Sequence, residues 1–145
     1  EGRALSAAKG GGFAAENWLQ DDGDLAEQAL AAERPGFEGP KGERWFDLGG
    51  LRAVALSGKG AEAKLAEACA SGGLVIMAAE AGTAPENCAL IDAKTLAATG
   101  PLAIWREGNT LRIETTKAAQ RLWSPPARKV ALPDLSAKDL KLAAQ

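Results

Sequence analysis

The side chains able to do chemistry in this sequence are two cysteines, an acidic cluster at Asp21, Asp22 and Asp24, and four tryptophans; histidine is absent. Without His, Ser–His–Asp and Cys–His nucleophilic catalysis are excluded. Zinc sites built on imidazole and the two-His metalloprotease helix fall with them. No Walker-type loop is present, because its Gly-Lys-Ser/Thr ending does not occur, and Gly10-Gly11-Gly12 and Ser57-Gly58-Lys59-Gly60 read as plain turns. The acidic cluster resembles only the first positions of an EF-hand loop: Ala26 and Gln28 stand where further oxygen ligands belong. It reads as a solvated helix end. One enzymatic option survives, a nuclease holding metal by carboxylates alone. Its candidates Asp21, Asp22, Asp24, Asp47 and Asp92 show no recognisable spacing. The expectation is a chain that is not an enzyme and holds no metal or cofactor.

Cys69 and Cys88 are too few and too far apart for a structural zinc site or a Cys-x-x-Cys redox pair. They bracket an apolar run, so both fall at neighbouring ends of one layer. A disulfide closing a loop of this size would contribute about 3 kcal/mol; the alternative is two buried thiols. Among the tryptophans, Trp18 lies on an apolar helix face and is expected in the core. Trp45 and Trp105 sit beside Arg44 and Arg106 in hairpin strands, and Trp123 follows Arg121. Arg–Trp pairs on exposed strands would form a stacking platform for single-stranded nucleic acid. The candidate contacts are thus Arg44, Trp45, Trp105, Arg106, Arg121 and Trp123. Alternation places strand neighbours on opposite faces, which favours core packing of these rings over joint action with the adjacent arginines.

The elements that must position these residues follow from glycine punctuation and periodicity. Arg3–Ala8 reads as a strand leading into the Lys9–Gly12 turn. Phe13, Ala14, Trp18 and Leu19 mark one face of a short helix. A second helix is expected from Leu25 to Glu33, with Asp24 as N-cap and Glu27 completing a capping box. Pro35, Gly36, Gly39, Pro40 and Gly42 make a loop of Arg34–Gly42. Arg44–Leu48 and Leu51–Leu56 form a hairpin across Gly49-Gly50, with Leu51, Ala53 and Ala55 on one face and Arg52, Val54 and Leu56 on the other. Ala61–Ala70 is the clearest helix, stopped by Gly72-Gly73. Leu74–Met77 is apolar throughout, as in a strand buried on both faces of a parallel sheet. Ala89–Asp92 is a short strand or turn, Ala93–Thr99 a helix capped by Asp92, and Leu102–Arg106 with Thr110–Thr115 a second hairpin.

The fold class expected is therefore α/β and layered: a mixed sheet of hairpins and a buried central strand, with helices packed on it. Residues 1–126 form one domain. Residues 127–145 form a charged tail, a frayed helix or disordered. The 145 residues suit one domain able to fold without staples. The apolar share of 46% and charged share of 25% are globular values. A net charge of -2 gives no bulk support for polyanion binding. No apolar run approaches the roughly 20 residues of a membrane span. The opening Glu1-Gly2-Arg3, without Met or an apolar leader, suggests a piece excised from a longer protein.

An ordered set of segments carries a family resemblance: Phe13 to Leu19, Asp22-Gly23-Asp24, Leu65 to Ala70 ending a helix at Cys69, Leu74-Val75-Ile76, Cys88, Leu90-Ile91-Asp92 with Leu96, Gly100 to Ile104, and Arg121-Leu122-Trp123. Over roughly Arg3 to Trp123 the chain resembles the C-terminal soluble region of ComEC-type competence proteins. These are polytopic bacterial inner-membrane proteins that pass single-stranded DNA into the cell, and many carry a metallo-β-lactamase-like domain with a His-x-His-x-Asp-His zinc motif. The resemblance implies part of an αββα sandwich, here degenerate, since the metal site cannot be carried over to a chain without His. It further implies the transmembrane channel portion of the same protein and single-stranded DNA as partners, and a soluble domain at the inner membrane, with the periplasmic side favoured. That side would favour the Cys69–Cys88 disulfide. Some relatives have a further Cys pair where this chain has Pro35–Gly42. A structural or protein-interaction domain without DNA contact is the alternative role.

Overall fold

In a computed structural model, residues 2–71, 73–85, 88–108 and 110–115 are described, so the tail and the candidate contacts Arg121 and Trp123 lie outside the described residues. The elements are α1 (Gly12–Asp21), α2 (Gln28–Ala32), β1 (Glu43–Leu48), β2 (Leu51–Leu56), α3 (Ala61–Ser71), β3 (Leu74–Met77), β4 (Ala89–Ile91), α4 (Ala93–Thr99), β5 (Leu102–Glu107) and β6 (Thr110–Thr115). The chain is mixed α/β. A four-stranded sheet has the order β1-β2-β3-β4, and β5 and β6 make a separate two-stranded sheet.

The first hairpin pairs Leu48 with Leu51 across Gly49 and Gly50. Both glycines have positive φ, 62° and 83°, the backbone a two-residue turn of this hand demands. Asp47 Oδ1 accepts the Gly50 N–H at 2.9 Å and fixes the turn. β2 then enters a βαβ unit: α3 crosses over, and β3 returns parallel to β2. Gly73 makes that return possible, because a Cβ there would lie 2.3 Å from Leu51 Cδ1 and 3.1 Å from Arg52 O. β4 adds parallel to β3.

Strand alternation splits the core into two faces. On one face Val54, Leu56, Val75 and Met77 meet Ala61, Leu65 and Ala68 of α3, which recur every three or four residues. On the other, Leu51, Ala53, Leu74, Ala89 and Ile91 meet Leu102, Ile104 and Leu111 of the second hairpin and Leu96 of α4. The layers are thus helix, sheet, hairpin. No helix among the described residues is long and apolar enough to cross a membrane.

Three expectations for the amino-terminal third need correction. Arg3–Ala8 is not a strand. Its backbone is satisfied piecemeal: Leu5 N donates to Ala31 O, Arg3 O accepts from Arg34, and Ala7 O accepts from Gln28. With Leu5 as its single large apolar residue, the segment has no alternating face to bury. α2 begins at Gln28 rather than Leu25, with Glu27 at the N-cap position and no side-chain cap. Asp24 cannot cap it, because its carboxylate is held by both Arg34 terminal nitrogens and by Ala26 N. Finally, Trp18 is not core. α1 buries the narrow stripe Ala15 and Leu19, leaving Trp18 56% and Phe13 78% exposed.

Candidate nucleic-acid interface

The arginines adjacent to tryptophan in sequence do not stack on those rings. Arg44 and Trp45 point to opposite faces of β1. Arg44 turns to the Arg34–Gly42 loop, donating Nη1 to Gly39 O at 2.7 Å and Nη2 to Phe37 O at 3.3 Å. Trp45 faces the α3 side, half-buried beside the Val54 and Leu56 cluster, and its indole N–H donates to Glu43 Oε1 at 3.1 Å. Arg106 lies on the inner face of β5, alternating with Trp105. It donates to Gly108 O at 3.0 Å and to Gly49 O at 2.8 Å, and so ties the two hairpin turns together.

Different arginines stack instead. Arg52 lies over the Trp45 ring at 4.2 Å, and Arg112 lies over Trp105 at 5.4 Å. The register explains both. Trp105 is directly opposite Arg112 on β6. Trp45 is opposite Val54, which makes Arg52 its diagonal neighbour on the same face, within reach of long side chains. Cross-strand position, not sequence adjacency, was the signal, and the Gly49-Gly50 turn was sufficient to compute it for the first pair. Trp105 is 46% exposed and projects from the outer surface of the second hairpin, while Trp45 belongs to the α3 side. The structure therefore separates Trp45 from Trp105 on different surfaces. Its two hairpin turns meet at one end through Arg106, close to Asp47 on the first and Glu107 on the second. Glu107 Oε1 also pairs with Arg112 at 3.4 Å.

Cys69 and Cys88 are bonded. The bridge joins α3 to the residue preceding β4, beside the Leu65 and Val75 side of the core. Two of the three acids of the amino-terminal cluster are engaged by arginine: Asp22 pairs with Arg3 and Asp24 with Arg34. Hydrogen bonds from Arg34, then from Ala26 N, lower the Asp24 pKa from 3.8 to about 2. Asp92 sits at the β4–α4 junction and Asp47 at the first turn, apart from that cluster. Among the described residues no group of three or more Cys, Asp or Glu side chains converges as a metal site.

Comparison of the chain with protein-family models, with curated proteins and with solved structures found no match.

Proposed function

We propose that this chain is a non-catalytic domain of a ComEC-type inner-membrane DNA-uptake protein, assisting the passage of single-stranded DNA alongside that protein's transmembrane channel. The observation that carries the reading is Trp105, 46% exposed on a hairpin surface with Arg112 against its ring. A half-exposed indole with a cation against its ring is the kind of unit that stacks on bases without sequence preference. Two further features support the family. The motif segments from Leu65 to Ile104 fall on successive elements of one layered core. A sheet with a helix on one face and a β-hairpin on the other has the order of three of the four layers of an αββα sandwich, which supports a degenerate metallo-β-lactamase-like origin. The disulfide supports an oxidising location, the periplasmic side of the membrane.

The test is a tryptophan-fluorescence titration of the full chain with single-stranded DNA at low and moderate salt. Quenching that weakens with salt and is mostly lost in Trp105→Ala is expected; a flat titration overturns DNA handling. A second reading, a protein-interaction domain without DNA contact, is favoured by the α1–α2 surface. There Phe13, Leu25 and Leu30 are 78%, 89% and 57% exposed, and the same stretch of chain carries exposed Glu16, Asp21 and Glu27. Such an acidic, apolar surface suits a protein partner and repels a polyanion. The same titration separates the two readings, and incubation of DNA with the chain and magnesium or manganese is expected to give no cleavage.

A further inference from the structure

Arg44 faces a cavity of about 470 Å³ whose wall also includes Lys9, Lys41, Ser6, Ser57 and Glu33. Three cations therefore share one space with a single carboxylate, in a chain whose net charge is -2. None of the three has an ion pair among the described residues. Arg44 spends its terminal nitrogens on the carbonyls of Phe37 and Gly39, which satisfies donors without neutralising its charge. Its Nε–H is buried and has no partner. Buried donors are nearly always paired, and an anion in this cavity would meet cationic side chains on its wall. Serine hydroxyls at Ser6 and Ser57 add donors of the kind that complete an oxyanion site.

The cavity is larger than a bare oxyanion needs. An adjoining cavity of about 420 Å³ shares Ser6, Lys9, Arg44 and Ser57 with it and is walled by Trp18. That ring is 56% exposed although it was expected in the core. An aromatic face beside a cluster of cations matches the two parts of a nucleotide, a base and a phosphate. We propose that Lys9, Lys41 and Arg44 form a binding site for a phosphate group. Its source as the backbone of a single DNA strand rests on the function proposed above, and free phosphate is the other source of the same chemistry.

The experiment follows the Arg44 Nε–H signal in nitrogen–proton correlation spectra of the full chain, identified by its loss in Arg44→Lys. Inorganic phosphate should shift that signal saturably. In the double variant Lys9→Gln/Lys41→Gln the apparent affinity should fall about tenfold, the effect of losing two nearby charges at the rim of a solvated site. Both lysines are exposed, so the variant keeps the core intact. An unmoved signal, or identical titrations in the two proteins, overturns the site, whatever the Trp105 titration shows. Where phosphate does bind as expected, an oligothymidylate arm gives the source. It shifts the same signal, in competition with phosphate, if the group belongs to a strand, and leaves it in place if the site takes free phosphate.

Discussion

Three carboxylates show how single residues set the response of this chain to acid. Hydrogen bonds from Arg34 and Ala26 hold Asp24 at about 2. Glu43 is lowered by hydrogen bonds from Lys64 and then Trp45. At Asp92 burial pushes the pKa up, but the N–H groups of Thr95 and Ala81 and the Thr95 hydroxyl outweigh it, and the net direction is down. A folded-state pKa below the unfolded one gives stability that is complete above the unfolded value and is lost as pH falls through the folded value. For Asp24 that window runs from about 3.8 down to about 2. Urea midpoints measured from pH 6 to pH 2 should therefore be flat above pH 5 and fall below pH 4, and Asp24→Asn should flatten part of that fall. The arginines divide by job in the same way. Arg106→Ala removes one bond within its own turn and one to the first turn and should lower the unfolding free energy by about 1 kcal/mol, with DNA quenching retained. Arg112→Ala should do the reverse, weakening quenching while leaving the unfolding free energy within about 0.5 kcal/mol. At this scale the missing histidine and the two cysteines were plain in the sequence. The ring partners were not, because reading Arg beside Trp follows the chain, whereas stacking follows the register between strands.

Among the elements, α4 depends most visibly on one cap. Asp92 Oδ1 accepts from Thr95 N and Thr95 Oγ1, both at 2.9 Å, and Oδ2 accepts from Ala81 N at 3.1 Å. The same carboxylate thus starts a seven-residue helix and anchors the loop between β3 and β4. Asp92→Ala should cost about 1–2 kcal/mol in urea unfolding, and Asp92→Asn less, since an amide oxygen still accepts from Thr95. This cap was legible, as were the first hairpin, α3 and β3, because each is written in local chemistry: paired glycines, an apolar stripe, an uninterrupted apolar run. Asp24 was misleading for a physical reason. It has the composition of an N-cap, but an arginine ten residues away competes for its oxygens, and a distant partner leaves no local signature. Arg3–Ala8 failed similarly, since side chains of Gln28 and Arg34 replace the ladder that a strand would need. Phe13 and Trp18 match a helical face, yet only the stripe of Ala15 and Leu19 is buried, and which stripe is covered depends on the tertiary packing.

For the molecule as a whole, the layer order followed from periodicity, but the strength of its far edge depends on a covalent link. β4 has three residues and pairs only with β3 among the described strands. It carries α4 and the second hairpin behind it in the chain, and these pack on one face of the sheet. The Cys69–Cys88 bond ties the start of β4 to α3 on the opposite face. The bridge therefore adds a covalent link to the β3–β4 ladder, the loop anchored on Asp92, the Arg106–Gly49 bond and the packing of Leu102, Ile104 and Leu111 on the sheet. Closing a loop across a sequence separation of 19 restricts the unfolded chain by about 3 kcal/mol. Reduction should lower the unfolding free energy by roughly that amount, read as a shift in the urea midpoint with and without a phosphine reductant. The loss should also be uneven. Amide exchange should accelerate first at Ala89–Ile91 and α4, where the tether acts, and least in the β1–β2 hairpin, whose six-residue register is independent of it. A uniform rise in exchange would assign the bond's effect to the unfolded chain alone, and a shift under about 1 kcal/mol would remove it as a determinant of stability.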